Sequence, residues 1–182
     1  REFEELVERV KRVVEELTRR LRETSEETKT VLEKLRKELE EASRRIEDVL
    51  RRLTEKIRKD GRGGELKEEV ERELKRLRDE SEELVRRVEE VVDRLRRRHE
   101  ELKKRAEDVL RKLREELKEM RDRGKGTEEL EETLERLVEA IRDALRKDEE
   151  TMRRVAEAIR RLLEDHRRSL EEVLEKIRDA LR

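Results

Sequence analysis

Apolar residues recur along this chain at a fixed interval, which we call the 18-residue repeat. In the first third of the sequence, one such register contains Leu17, Leu35 and Leu53. Eighteen residues make five turns of an α-helix at 3.6 residues per turn, so each register returns to the same side of the helix. The apolar stripe therefore runs parallel to the helix axis, whereas a seven-residue repeat would impose a left-handed supercoil. The pattern predicts long, straight helices that pack with little twist.

Further registers repeat in the same way and define one apolar stripe in each third of the chain. An apolar stripe on one side, with Glu, Arg and Lys on the other, is typical of an amphipathic helix. The registers of the first third include Phe3, Leu21, Leu39 and Ile57; Val10, Thr28 and Ile46; and Val13, Val31 and Val49. Those of the second and third parts include Leu66, Leu84, Leu102 and Met120; Leu77, Leu95 and Leu113; Val70, Val88 and Ala106; Ile141, Ile159 and Ile177; and Leu145, Leu163 and Leu181.

Glycine separates the three helical segments, because all five glycines of the chain lie in two short stretches. Glycine is the residue that most often ends a helix and permits the chain to reverse. The predicted helices are residues 2–59, 65–122 and 128–181, and the predicted loops are residues 60–64 and 123–127. We expect Gly61 to adopt the left-handed conformation that ends the first helix and Thr127 to cap the third.

Loops this short predict that helices adjacent in sequence pack antiparallel to one another. The predicted fold is all-α: a single-chain antiparallel three-helix bundle, up-down-up, in which residues 1–182 form one domain. At 1.5 Å per residue, we expect a rod of roughly 80–85 Å.

Polar residues interrupt the apolar stripes at two places. Folding the chain pairs residue n of the first helix with roughly 123 − n in the second and roughly n + 127 in the third. Because a buried polar group costs stability unless it is hydrogen-bonded, grouped polar positions predict two buried networks that specify helix register. The first predicted cluster contains Thr24, Thr28, His99, Asp148 and Thr151, and the second contains Ser43, Ser81, His166 and Ser169.

A catalytic interpretation of the first cluster would use Thr24 as nucleophile, His99 as base and Asp148 to orient the base. A metal site with His99 and Asp148 is a further alternative. The two histidines lie in different clusters, roughly 27 Å apart, and cannot share one metal ion. Since a bundle offers neither a cleft nor an oxyanion donor, we predict no enzymatic activity, no metal and no cofactor.

The histidines also suggest a response to pH. If His99 and His166 are buried and neutral at pH 7, the bundle should lose stability below about pH 5 to 6, since a buried imidazole resists protonation. If His99 is instead ionised against Asp148, that cluster should resist moderate acid.

The overall charge excludes some classes of partner. Charged residues make up 59% of the chain, yet 53 basic and 54 acidic side chains leave a net charge of −1. A nucleic-acid or anionic-membrane surface requires a basic excess, which this sequence lacks. No apolar run approaches membrane-spanning length and no targeting pattern opens the sequence, so we expect a soluble protein of unknown localisation.

The chain resembles computationally designed helical bundles with buried hydrogen-bond networks. The resemblance rests on the 18-residue repeat, the glycine loops Asp60–Gly64 and Arg123–Thr127, and the Ser, Thr, His and Asp clusters within a Leu, Val and Ile core. It implies a structural scaffold, monomeric and without a required partner, natural substrate or cofactor. The alternative function is a module that binds a helix or self-associates, as a designed switch or assembly component would.

Overall fold

A computed structural model describes residues 2–60, 64–124 and 128–182, and describes all their side chains except those of Glu2, Phe3 and Leu130. These residues form three α-helices and no strand: α1 (Glu2–Asp60), α2 (Gly64–Asp122) and α3 (Glu128–Leu181). The predicted all-α, three-helix fold class is therefore confirmed. Helix α1 ends one residue later, and helix α2 begins one residue earlier, than the sequence predicts. The expectations for Gly61, Thr127 and the Phe3 side chain lie outside the described residues.

The composition of the helices explains their length. Leu, Glu, Arg and Lys all have high helix propensity, and the chain contains no proline that would interrupt a helix. Charged residues at the termini match the helix dipole. Glu128, Glu129 and Glu131 lie in the first turn of α3, and Arg58 and Lys59 lie in the last turn of α1. Among the described residues, no helix contains a segment apolar and long enough to cross a membrane.

A glycine follows the end of α2. The Arg123 backbone N–H donates to the Glu119 carbonyl at 3.0 Å, and the Gly124 N–H donates to the Arg121 carbonyl at 3.2 Å. Gly124 has a φ of 61°, in the left-handed region that a residue without Cβ adopts at little cost. Gly124 thus supplies the change of backbone direction that ends the helix.

The chain divides into two compact units, and each unit contains a segment of all three helices. The first unit comprises Arg1–Thr30 and Arg94–Val155, and the second comprises Val31–Asp93 and Ala156–Arg182.

The core of the first unit is aliphatic and includes side chains with no solvent exposure, such as Leu134 and Ile141. Antiparallel packing of α2 and α3 is visible in two surface ion pairs, Lys103–Glu149 and Arg121–Glu131. The core side chains are Val10, Val14, Leu17, Leu21, Ala106, Leu110, Leu113, Leu117, Met120, Leu134, Val138 and Ile141.

The second unit has a core of the same kind. Three exposed ion pairs join α1 to α2 in it, and the residue number on α2 falls as that on α1 rises, so the two helices are antiparallel. Exposed ion pairs contribute at most about 1 kcal/mol each, and the stability of the unit comes from its apolar core. The ion pairs are Arg45–Glu80, Arg52–Glu73 and Lys56–Glu69. The core side chains are Ile46, Leu53, Ile57, Leu66, Val70, Leu74, Leu77, Leu170, Val173, Leu174 and Ile177.

Burial varies across the width of each predicted stripe. Ala106 lies at the centre of the α2 stripe and is completely buried. The register of Val13, Val31 and Val49 lies at the edge of the α1 stripe: Val13 is 42% exposed, and the other two valines are half-buried. The three helices therefore enclose a narrower core than the full set of apolar registers suggests.

Candidate functional site

A buried carboxylate forms the centre of the first polar cluster. Asp148 of α3 is 3% exposed and receives hydrogen bonds from two other helices. The Ser25 hydroxyl of α1 donates to Oδ1 of Asp148 at 2.8 Å, and Nδ1 of His99 on α2 bonds to Oδ2. His99 is itself buried, whereas Ser25 is half-buried. Both carboxylate oxygens thus have a partner from a different helix.

Two of the three threonines near this carboxylate donate their hydroxyl hydrogen bonds within their own helices. Thr24 and Thr28 are buried, and the Thr28 hydroxyl donates to the Thr24 carbonyl at 2.8 Å. The half-buried Thr151 donates to the Lys147 carbonyl at 2.9 Å. This bond from a threonine to the carbonyl four residues earlier is common in helices and satisfies the hydroxyl locally. The sequence suggested that Thr28 and Thr151 connect neighbouring helices. Instead, each of these hydroxyls donates to a carbonyl of its own helix.

His99 and Asp148 form a buried, hydrogen-bonded pair inside the first unit. The hydrogen bond to Asp148 raises the pKa of His99 above its usual value, and burial opposes that rise without cancelling it. Glu100 and Glu149 add smaller favourable charges. The raised pKa favours the imidazolium form, which is the second of the two alternatives considered for this histidine.

The second polar cluster is smaller. Ser81 of α2 and His166 of α3 are both buried, and the Ser81 hydroxyl lies 2.7 Å from Nε2 of His166. Within the described part of the chain, the buried Nδ1 of His166 has no hydrogen-bond partner. Ser43 and Ser169 are half-buried. Neither hydroxyl makes a hydrogen bond to any described residue.

His166 lacks the counter-ion that His99 has. Burial lowers the pKa of His166 below its usual value, and the nearby positive charge of Arg167 lowers it further. The imidazole is therefore neutral near pH 7, and the pKa values of the two buried histidines are shifted in opposite directions.

A groove of about 580 Å³ lies beside the second polar cluster, within the second unit. It opens between α1 and α2 where two small residues, Ala42 and Ser81, are among the lining side chains. Its charged lining residues carry both signs, with four glutamates and two arginines, and Arg45 is already paired with Glu80 at 2.9 Å. Such mixed charge provides no convergent set of donors or acceptors for one ion. The charged lining residues are Glu38, Glu41, Arg45, Glu80, Glu83 and Arg87.

The geometry of the first cluster differs from that of a nucleophile activated by a base. Activation of a hydroxyl requires a hydrogen bond from that hydroxyl to the base. Here the carboxylate of Asp148 lies between the Ser25 hydroxyl and the His99 ring. For a metal, the described residues contain no group of three or more His, Cys, Asp or Glu side chains placed to bind one ion.

Sequence reasoning missed Ser25, although a signal for it exists. Ser25 lies one repeat before Ser43, which the sequence did single out, so the two serines share one register. The position lies at the edge of the apolar stripe, where a serine is easily taken for a surface residue. Its neighbours on that face, Leu21 and Thr28, are four residues before and three residues after it, and both are buried.

Protein families, curated sequences and solved structures give different results for this chain. No protein-family model and no curated protein sequence matches this chain. Among solved structures, it matches a chain described as a "Computationally designed three helix bundle", with 20% sequence identity and a TM-score of 0.46. The match covers 99% of this chain and 87% of that chain. This chain is thus similar to a computationally designed three-helix bundle.

Proposed function

We propose that this protein is a structural scaffold of designed type, a single-domain three-helix bundle whose polar clusters specify how its helices align. In this proposal it has no enzymatic activity, requires no cofactor or partner, and is monomeric. The observation that carries the proposal is Asp148, a carboxylate that is 3% exposed and is bonded by Ser25 of α1 and His99 of α2.

An aliphatic core is compatible with several helix alignments, because one Leu or Val packs much like another. A buried carboxylate is compatible with fewer alignments, because an unpaired charge inside a protein costs several kcal/mol. Displacing a helix by one turn moves its side chains by about 5.4 Å, which breaks any hydrogen bond. The alignment in which Ser25 and His99 both reach Asp148 is therefore favoured over its neighbours.

The test replaces the first cluster with apolar residues in the variant Ser25→Ala/His99→Leu/Asp148→Leu. Apolar replacement of a buried ion pair is often neutral or stabilising, so we expect the free energy of unfolding in urea to be equal or higher. If the cluster specifies alignment, two-dimensional ¹H–¹⁵N NMR should show broadened or duplicated resonances. A matched control is Thr30→Ala/Thr133→Ala, which removes two exposed hydroxyls that bond only to their own helices. A single sharp set of resonances from the apolar variant would refute the proposed role.

The oligomeric state separates the scaffold from an interaction module. In the described residues, the only large apolar side chain that is exposed is Val13, and an isolated exposed side chain is ordinary on a monomer surface. We therefore expect a mass of about 22.3 kDa in size-exclusion chromatography with light scattering. A dimer or a larger assembly would instead favour the module that binds a helix or self-associates.

A further inference from the structure

The second polar cluster contains an unsatisfied atom. His166 is 2% exposed, its Nε2 lies 2.7 Å from the Ser81 hydroxyl, and its Nδ1 has no partner among the described residues. A buried polar atom without a hydrogen bond costs about 1–3 kcal/mol, and such atoms are rare in folded proteins. A partner for Nδ1 should therefore be sought among the side chains around it.

The 18-residue repeat relates the two clusters position by position. His166 lies one repeat after Asp148 on α3, and Ser81 lies one repeat before His99 on α2. Each cluster thus has one α2–α3 hydrogen bond between corresponding positions. The third member of the first cluster is Ser25, whose hydroxyl reaches Asp148 from α1.

The residue of α1 that corresponds to Ser25 is Ser43, one repeat further along the helix. We propose that Ser43 completes the second cluster by hydrogen-bonding through its hydroxyl to Nδ1 of His166. The separation of 123 residues between Ser43 and His166 is the same as that between Ser25 and Asp148, which are joined at 2.8 Å. The cluster becomes a serine–histidine–serine set that draws one residue from each helix.

The chemistry of the serine hydroxyl suits this role. A hydroxyl both donates and accepts, so Ser43 can bond to Nδ1 whether or not that nitrogen carries the proton. Ser43 is half-buried and its hydroxyl is not bonded to any described residue, so it is free to turn about χ1 from one staggered position to another.

Ser169 is the competing partner. It lies three residues after His166 on the same helix, a spacing that places two side chains on one face. It is likewise half-buried and without a hydrogen bond to a described residue. It does not correspond in register to a member of the Ser25–Asp148–His99 network, because the residue one repeat earlier, Thr151, bonds within its own helix.

The experiment compares Ser43→Ala with Ser169→Ala. Both changes replace a half-buried helical serine by alanine, so the gain in helix propensity is common to them. We expect Ser43→Ala to shift the ¹⁵N resonance of His166 Nδ1, and to lower the equilibrium constant for folding about tenfold relative to Ser169→Ala. Ser43→Thr keeps the hydroxyl and should restore the resonance position.

The other possible outcomes contradict the proposed hydrogen bond between Ser43 and His166. A His166 ring spectrum that does not change in Ser43→Ala would show that Nδ1 is not bonded to Ser43. A shift caused by Ser169→Ala alone would assign the bond to Ser169. Because the ring spectrum is recorded on folded protein, a loss of stability without a spectral change also overturns the proposal.

Discussion

The two buried histidines make opposite contributions to the dependence of stability on pH. His99 is bonded to a buried carboxylate, whereas His166 is bonded to the Ser81 hydroxyl and is affected by the positive charge of Arg167. The pKa of His99 is raised above 6.5 and that of His166 is lowered below it. Each shift links the free energy of unfolding to pH, in separate ranges.

For His99, the folded state holds the proton more tightly than the unfolded state does. Its stabilising contribution is fully present below pH 6.5, and is lost as the pH rises through the raised pKa of the folded state. For His166 the unfolded state holds the proton more tightly. Its contribution is fully present well above pH 6.5, and is lost as the pH falls from there towards the lowered pKa. The histidines alone therefore predict greatest stability near pH 6.5.

The size of each effect has an upper limit. One proton that differs between the folded and unfolded states changes the free energy of unfolding by at most about 1.4 kcal/mol per pH unit. A histidine that binds no proton at all in the folded state loses about 2 kcal/mol of stabilisation between pH 7.5 and pH 5.0. We expect the effect of His166 to approach this limit without exceeding it.

The assay is urea unfolding from pH 5 to pH 9 for the wild-type protein, His166→Gln and His99→Gln. Urea is preferred because guanidinium is a salt that screens charges. Subtracting each variant from the wild type removes the contribution of the carboxylates whose surroundings the substitution leaves unchanged. The difference for His166→Gln should be flat well above pH 6.5 and vary as the pH falls through 6.5, and that for His99→Gln should vary above pH 6.5.

A different urea-unfolding result would contradict the prediction for each histidine. If the wild type and His166→Gln lose stability in parallel between pH 6.5 and pH 5, His166 is not the group that titrates. If the difference for His99→Gln is flat above pH 6.5, the ion pair with Asp148 does not favour the imidazolium. The chain contains only these two histidines, so each variant is the control for the other.

Two further predictions concern the core and the end of α2. Leu134→Ala should lower the free energy of unfolding by about 2–5 kcal/mol because Leu134 is completely buried. Val13→Ala, at a position 42% exposed, should change the free energy of unfolding by less than about 0.5 kcal/mol. Equal effects of the two variants in urea unfolding would contradict the assigned core. Gly124→Ala should lower the free energy of unfolding by about 1–2 kcal/mol because the φ of Gly124 is 61°. Gly64 lies in α2 with nothing within 4 Å of an added Cβ, so Gly64→Ala should be neutral or stabilise the protein by up to about 1 kcal/mol. Thermal unfolding that ranks the two alanine variants in the reverse order would contradict these expectations.

The fold could be predicted from the sequence because its dominant signal is periodic. Helical periodicity and five glycines in two stretches are enough to define three helices. The width of the buried stripe could not be predicted in the same way, as Val13 shows. An apolar residue at the stripe's edge has the same spacing as one at its centre, and only the approach of neighbouring helices decides how much of it is covered.

Burial and hydrogen bonding differ in how far they follow from sequence. Burial of His99, Asp148 and His166 follows from helical angle alone. The choice of partner depends on rotamers and on competition from the backbone, neither of which a helical wheel contains. Thr28 therefore bonds to a carbonyl of its own helix, while Ser25, at the edge of the stripe, reaches across to Asp148.

The two polar clusters differ in chemistry, and this difference restricts the alignment of α2 and α3 more than polarity alone would. Because the aliphatic registers recur with every repeat, sliding α3 by one full repeat along α2 would leave aliphatic side chains opposite aliphatic ones. One direction of sliding would place His166 opposite His99, so that two imidazoles face each other without a carboxylate. The other would place Asp148 opposite Ser81, and the buried carboxylate would lose its imidazolium partner, at a cost of about 3–5 kcal/mol. Two identical clusters would keep one matched pair after this displacement, and we therefore expect the replacement of one cluster by a copy of the other to weaken the discrimination that both provide.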